Sequence, residues 1–350
     1  MSQQYTNAYF AAANTSNGFI GHFGKIFDAE SLDRIYILKG GPGTGKSYLM
    51  RKIGKEAEKH GYDVEYFLCS SDTNSLDGIL IPSIKTAIID GTSPHASDPV
   101  LPGAADEIIN LGEFFNIKKL TEQKDVIIKL IRAKSELYTR AYAFLRCAGS
   151  IKKEYNCTVS PYVLYKKLND FTERLMAHIK NGDQWGEQIR LLHTYGTCGE
   201  VFLDTFYKKA ETHYVIEDKY NISHILLSLI YEKLKEKGHN ITVSYSPDIP
   251  EHIDGIYINA LKISFTVGTP QSEDDKVINM CRFINKDGIK SHKKRLNFMK
   301  SAYESVIKEA LLYLANVKPL HDELEKIYIS SMNFDKKEKM TEKLCKKIFK

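Results

Sequence analysis

The chain has 350 residues, of which 43% are hydrophobic and 27% charged, and its formal net charge is +5. This length allows two domains of ordinary size, and the composition is that of a globular protein rather than a fibrous or disordered one. No stretch approaches about 18 consecutive apolar residues, and the amino terminus lacks a basic segment followed by an apolar core, so neither a membrane span nor a secretory signal is predicted.

Cysteine and lysine usage narrows the class of protein further. The six cysteines are scattered without a CxxC pair, which disfavours a zinc site or disulfide framework and predicts reduced thiols in the cytoplasm. Lysine pairs occur along the chain, but Asp and Glu are interspersed among most of them, as on solvated helix faces. This pattern leaves a nucleic-acid surface open without favouring it.

The segment 35-IYILKGGPGTGKSYLM-50 joins a short apolar run to a glycine-rich loop that matches GxxxxGK[ST]. Glycines let such a loop turn its main-chain N–H groups inward toward a phosphate. The run at 35–38 predicts a buried strand, and apolar spacing after Lys46 predicts a helix that ends at Gly61. We therefore expect nucleotide contacts from the loop and the helix start, namely Gly40, Gly41, Pro42, Gly43, Thr44, Gly45, Lys46, Ser47 and Tyr48.

Two further strands are predicted at 64–68 and 86–90, and the second of them ends in Asp90. An apolar strand that ends in a carboxylate after a phosphate loop is typical of a Mg²⁺ site. We predict that Lys46 contacts the β- and γ-phosphates, that Ser47 ligates Mg²⁺ and that Asp90 holds the metal through water. The alternative role for Asp90 is that of a turn residue.

The residue that follows Asp90 is Gly91, whereas many ATPases have a glutamate there to activate water. Either the catalytic base comes from another loop at the same sheet edge, or hydrolysis is slow. The candidates are Asp72, His95 and Asp98. For each of them a turn or capping role is the alternative.

The sequence repeats itself. Residues 49–66 align with 226–243, and 109-INLGEFFN-116 aligns with 278-INMCRFIN-285. Each copy continues into predicted helices, at 126–155 and from Ser160 to Gly182 in the first and at about 296–329 in the second, which ends in a basic amphipathic helix at 335–350. We predict two domains, 1–182 and 183–350.

The second copy lacks the phosphate loop. It has 217-EDKYNISH-224 where the first has GGPGTGKS, so Ser223 lies opposite Lys46 and Val267 opposite Asp90. Because Glu217 replaces a glycine with a side chain and a negative charge, this loop is not expected to bind a nucleotide in the usual way.

These elements predict an α/β fold of two related P-loop NTPase-like units, each with a small, mainly parallel sheet flanked by helices and extended by long helices. Three clear strands per unit are fewer than usual for such sheets. Additional strand candidates lie at 9–12, 80–81 and 189–192.

The stretches NTSNGF, RIYILKGGPGTGKS, EYFLCSSDTNSLDG, AIIDGTSPH and PGAADEIINLGEFF resemble a bacterial family of tandem P-loop ATPase-like proteins. The resemblance covers both halves, although its distinctive motifs lie in the first. It implies binding and hydrolysis of ATP and supplies no substrate. The family's second half usually keeps a phosphate loop, from which this sequence departs.

Three functions remain open at this stage. The leading hypothesis is an ATP-binding, Mg²⁺-dependent NTPase whose second half is a scaffold or regulatory copy, with an arginine from the helical arms (Arg132, Arg140 or Arg146) or from a second molecule. The runner-up is a small-molecule kinase in which Asp72 deprotonates an acceptor hydroxyl. The third is a nucleotide sensor with little turnover. A homo-oligomer or another protein could bind through the helical arms.

Overall fold

The computed structural model describes residues 5–93 and 98–350, and in these ranges each half of the chain forms one six-stranded sheet and one two-stranded hairpin. The first sheet has the order β1-β5-β6-β7-β4-β8, and β6 alone runs antiparallel to its neighbours. The strands of this half are β1 (Ala8–Phe10), β2 (Ala12–Thr15), β3 (Gly18–Gly21), β4 (Arg34–Lys39), β5 (Glu65–Leu68), β6 (Leu76–Ile81), β7 (Thr86–Asp90) and β8 (Asp106–Asn110). Strands β2 and β3 form the hairpin.

The second sheet reproduces this topology strand for strand. Its strands and hairpin are β9 (Gly186–Ile189), β10 (His193–Gly196), β11 (Gly199–Phe202), β12 (Thr212–Glu217), β13 (Asn240–Tyr245), β14 (Ile253–Ile258), β15 (Ile263–Val267) and β16 (Lys276–Asn279). The order is β16-β12-β15-β14-β13-β9, with β14 antiparallel to its neighbours and β10–β11 as the hairpin. The predicted fold class, two related α/β units with mainly parallel sheets, is therefore confirmed.

Helices cover the sheets and extend beyond them. They are α1 (Phe23–Ile26), α2 (Lys46–Lys59), α3 (Ile117–Glu122), α4 (Lys124–Val159), α5 (Tyr165–Ala177), α6 (Thr205–Lys209), α7 (Ser223–Glu236), α8 (Lys286–Ile289), α9 (Lys293–Ala315), α10 (Val317–Ser330) and α11 (Phe334–Ile348). In the described ranges, none of these helices combines the length and hydrophobicity that crossing a bilayer requires.

The core of the first unit forms where the sequence is most apolar. Strands β4 and β7 are buried along most of their length, and α2 buries Leu49, Met50, Ile53 and Ala57 against the sheet. The helix ends before Gly61, whose φ of +78° is readily adopted only by glycine. The strand and helix predicted around the glycine-rich loop are therefore present.

The two longest helices, α4 and α9, pack against each other and join the units. Positions that the repeat makes equivalent share one buried cluster, since Ala141 and Leu145 meet Ala310 and Leu314 there. Small residues at matching positions let the two helices approach closely.

Each copy's helical arm packs on the other copy. Helix α5 places Leu168 and Met176 in the core of the second unit, against α7. Conversely, α11 places Leu344 in the core of the first unit, where Phe349 also stacks on His60 at 5.0 Å. The predicted boundary at 182/183 separates the copies along the chain, whereas the arms cross between them in space.

Short main-chain bridges fix this crossing. Phe115 pairs with Met332, and Val163 pairs with Ile284. The second bridge explains one error in the sequence analysis. The helix predicted from Ser160 begins only at Tyr165, because 160–162 form a 3₁₀ turn and Val163 is extended to pair with the second unit.

Candidate functional site

The predicted phosphate loop lies at the carboxyl end of β4, between that strand and α2. Strand β4 is flanked by β7 and β8, so the loop opens at the centre of the parallel part of the sheet. Gly43 and Gly45 have φ angles of +70° and +81°. Alternation of left-handed glycines with other residues turns successive N–H groups toward one point, which is the main-chain geometry of an anion nest.

Lys46 occupies the interior of this loop. Its Nζ donates hydrogen bonds to the carbonyl oxygens of Gly40 at 2.7 Å and Gly41 at 2.9 Å, and it lies 3.5 Å from Oδ2 of Asp90. The side chain is only 11% exposed. A largely buried ammonium group thus lies among the main-chain groups that the sequence assigned to phosphate binding.

Asp90 and Ser47 lie at the mouth of the loop. Asp90 ends β7 opposite Leu38 of β4, and its Oδ1 accepts hydrogen bonds from the N–H, at 2.9 Å, and the hydroxyl of Thr92. Ser47 Oγ accepts from the N–H of Leu76 at 3.1 Å, which ties α2 to the start of β6. One carboxylate and one hydroxyl suit Mg²⁺ when phosphate oxygens and water complete its octahedral shell.

The candidate catalytic bases are placed differently. Asp72 lies in the loop after β5, where its Oδ1 accepts from the N–H of Asn74 at 3.0 Å and its Oδ2 is 3.5 Å from Nζ of Lys318 on α10. Asp98 is 93% exposed and lies 3.4 Å from Nζ of Lys39. His95 lies outside the described residues. The Asp72 carboxylate is therefore engaged by a turn and by a lysine from the second half of the chain.

Helix α10 packs directly against Gly41 and Gly43 of the loop. A Cβ atom at Gly41 would lie 2.9 Å from the ring of Tyr328, and one at Gly43 would lie 2.9 Å from both the carbonyl oxygen of Glu325 and Cγ1 of Ile329. These glycines are thus required for close packing of the arm as well as for loop conformation. The sequence analysis assigned them to phosphate alone and missed this role.

Helix α11 adds a lysine at the other end of the loop. Nζ of Lys337 lies 3.3 Å from the position of a Cβ on Gly45 and 4.4 Å from the ring centroid of Tyr48. The Lys337 side chain is only 3% exposed. Sequence reasoning did not single out Lys337, because it is one of many lysines on an amphipathic helix.

In the second copy a carboxylate occupies the start of the corresponding helix. Asp218 Oδ2 accepts from the N–H of Ser223 at 2.6 Å, and its Oδ1 accepts from the N–H of Tyr220 at 3.1 Å. Ser223 is the residue opposite Lys46 in the repeat. An internal carboxylate thus binds the first amide at the N-terminus of α7, where an anion would otherwise be favoured.

A cavity of about 680 Å³ lies in the second unit, beside a buried polar network. Asp248 accepts hydrogen bonds from the hydroxyls of Tyr195 and Tyr303, at 2.5 and 2.8 Å, and pairs with Lys152. Burial raises the pKa of Asp248, but the charges of Lys152 and His193 together with these hydrogen bonds outweigh it, so the pKa lies below its usual value. This network is internally satisfied and anchors α4 and α9 to the second unit.

Comparison with known proteins gives one match. A family model described as Nephrocystin 3, N-terminal, matches residues 21–90. This range contains β4, the glycine-rich loop and α2, and it ends at Asp90. No curated protein and no solved structure is detectably similar to the chain. The similarity to a described family thus lies in the first unit.

Proposed function

We propose that the first unit binds a nucleoside triphosphate, expected to be ATP, together with Mg²⁺ and hydrolyses it, while the second unit serves as a scaffold or regulatory copy that binds no nucleotide. The proposal rests on one observation above all. The Lys46 ammonium lies inside a loop with left-handed Gly43 and Gly45, beside the strand-terminal Asp90. That arrangement presents inward N–H groups, a cation and a metal-binding carboxylate to the same small volume.

The position of this group within the sheet supports the same proposal. Ligands of open α/β sheets bind at the carboxyl ends of the strands, and the loop lies there, between β4 and α2. The N-terminus of α2 adds the positive end of its dipole. Helix α2 has 14 residues, so its dipole is well developed. The helix dipole and the Lys46 ammonium therefore both favour an anion in the loop between β4 and α2.

Mg²⁺ would be held by Ser47 and Asp90, and it would neutralise charge that develops on the phosphates. In the structure Oδ1 of Asp90 accepts from Thr92, whereas Oδ2 faces Nζ of Lys46 at 3.5 Å. Asp90 can therefore accept a hydrogen bond from a metal-bound water without leaving its turn. Lys46 would exchange its carbonyl partners for phosphate oxygens.

A low-turnover nucleotide sensor is the second candidate function. Gly91 takes the place of the usual glutamate, and the Asp72 carboxylate is engaged by Lys318 and Asn74. The contact of α10 with Gly41 would connect nucleotide binding to the position of the arm. The same engagement of Asp72 weakens its role as the base of a small-molecule kinase.

Calorimetry with ATP, in the presence and absence of Mg²⁺, tests the proposal. The native chain is expected to bind Mg²⁺–ATP more tightly than metal-free ATP. Asp90→Asn should reduce this Mg²⁺ enhancement about tenfold, because a neutral amide is a poorer acceptor for metal-bound water. It should not weaken metal-free binding, since it removes a negative charge near the phosphates.

The matched control is Asp63→Asn, which changes an exposed aspartate just before β5 and should behave as the native chain does. If Mg²⁺ still enhances ATP affinity fully in the Asp90→Asn chain, the metal assignment is refuted.

The fate of a labelled γ-phosphate distinguishes the three functions. A hydrolase releases it as inorganic phosphate, a kinase transfers it to a metabolite, and a sensor leaves it on ATP.

A further inference from the structure

Lys337 is a buried cation that shares its counter-ion with another lysine. Its side chain is 3% exposed, and its nearest carboxylate, Oε2 of Glu338, is 3.8 Å away. The other oxygen of that carboxylate binds Nζ of Lys52. The Glu338 carboxylate therefore pairs with two ammonium groups. Of the two lysines, Lys337 lies farther from the carboxylate and is the more buried.

The position of Lys337 at a helix N-terminus further disfavours its positive charge. Its ammonium lies at the N-terminus of α2, next to Gly45 and Tyr48, where the helix dipole presents its positive end. Burial lowers the pKa of Lys337, and Glu338 only partly offsets this effect. An anion at the start of α2 would relieve both the desolvation of the ammonium and its repulsion from the helix end.

The second copy shows how the same fold neutralises this position. There Asp218 accepts hydrogen bonds from the first amide of α7, that of Ser223, and from the amide of Tyr220 in the loop before it. The residue that aligns with Asp218 in the first copy is Gly41, which has no side chain. In the first copy the negative charge at the helix start must therefore come from outside the loop.

We infer that the Lys337 ammonium binds the phosphates of a nucleotide held in the loop, so that the second half of the chain supplies a binding residue to the site in the first. This inference rests on the proposed function. Gly45 and Tyr48 flank Lys46 and Ser47. Because Lys337 lies over the Tyr48 ring and next to Gly45, its ammonium is beside the start of α2. Nucleotide binding would then hold α11, and with it the second half, against the first unit.

Lys337→Met tests this inference on the full chain, because methionine keeps the unbranched shape and removes the charge. We expect the affinity for Mg²⁺–ATP, measured by calorimetry, to fall about 10- to 100-fold, the value of a charge-assisted contact. Lys339→Met, which changes an exposed lysine on the opposite face of the same helix, should stay within about twofold of the native affinity.

Two additional measurements separate ligand binding from a structural role. Without nucleotide, the Lys337→Met chain should unfold at the native temperature or above it, because an apolar side chain replaces a buried charge. At about pH 9, ATP binding to the native chain should take up protons, since phosphate raises the depressed pKa of Lys337. Calorimetry in buffers of different ionisation enthalpy measures this uptake, which should be smaller in Lys337→Met.

The outcomes distinguish the inference from the proposed function. Native-like affinity and proton uptake in Lys337→Met, with a native chain that binds ATP, would overturn the inference and leave the nucleotide site standing. Reduced affinity that is accompanied by a lowered unfolding temperature and unchanged proton uptake would assign Lys337 to packing and also overturn it. If the native chain binds no nucleotide, both the proposed function and the inference about Lys337 are refuted.

Discussion

Lys46→Ala is expected to lower the affinity for Mg²⁺–ATP by about 100- to 1,000-fold. The Lys46 ammonium is largely buried and lies within hydrogen-bond distance of two loop carbonyls, so it is already positioned where the β- and γ-phosphates would bind. Each charge-assisted hydrogen bond to phosphate contributes roughly 1.5–3 kcal/mol, and tenfold in affinity corresponds to about 1.4 kcal/mol. Loss of two such bonds at the weaker end of this range, about 3–4 kcal/mol together, gives the expected factor, which calorimetry on the full chain can measure.

The Lys46→Ala chain should fold normally. Its lost contacts with Gly40 and Gly41 are hydrogen bonds from the side-chain ammonium to two main-chain carbonyl oxygens, and water can donate to these oxygens in its place. Mg²⁺–ATP should raise the unfolding temperature of the native chain and leave that of the variant unchanged. Lys59→Ala removes a largely exposed lysine from the same helix, paired only within its own turn to Glu56, and serves as the control. Equal nucleotide stabilisation of native and Lys46→Ala chains would contradict the proposed function.

The loop was predictable because all its determinants are local. An apolar strand, alternating glycines and the start of an amphipathic helix lie within residues 34–59. Left-handed geometry at Gly43 and Gly45 needs no distant partner to be inferred. The same holds for the helix end at Gly61, where positive φ and a change of hydrophobic pattern coincide.

The edge strands β8 and β16 escaped prediction for the opposite reason. Their sequences, DEIIN and KVIN, are short and largely exposed, so they lack the apolar run that identifies β4 or β7. They become strands because β4 and β12 offer them unpaired main-chain groups. Their conformation is decided by a neighbour that is distant in sequence.

Contact of the second half with the glycine-rich loop could not be predicted from local sequence either. Tyr328 and Lys337 lie nearly 300 residues along the chain from Gly41 and Gly45, and nothing in the basic amphipathic pattern of α11 indicates which surface it covers. The repeat predicted equivalent arms but not their exchange between units. The structure therefore adds to the site a set of residues that sequence reasoning had placed on an ordinary solvated helix.

Asp248→Ala is expected to lower the free energy of unfolding by about 3 kcal/mol or more. Asp248 is buried, and its carboxylate binds the hydroxyls of Tyr195 and Tyr303 and pairs with Lys152. The substitution removes the carboxylate that accepts from both tyrosine hydroxyls, which are left with each other at 3.0 Å, and it leaves Lys152 without its counter-ion. Both losses are costly inside a protein. Chemical denaturation measures the change. Asp287→Ala removes an exposed aspartate paired with Lys290, and this control should cost less than about 1 kcal/mol.

The dependence of this stabilisation on pH identifies its electrostatic part. Because the pKa of Asp248 is lower in the folded protein than in the unfolded chain, its contribution is present in full above the unfolded pKa near 4 and is lost as pH falls through the folded pKa. The native chain should therefore lose stability below about pH 4, and the gap between native and Asp248→Ala chains should narrow there. A gap that stays constant down to about pH 2 would show that Asp248 acts through packing alone, and the ionic anchoring of α4 and α9 would then have to be abandoned.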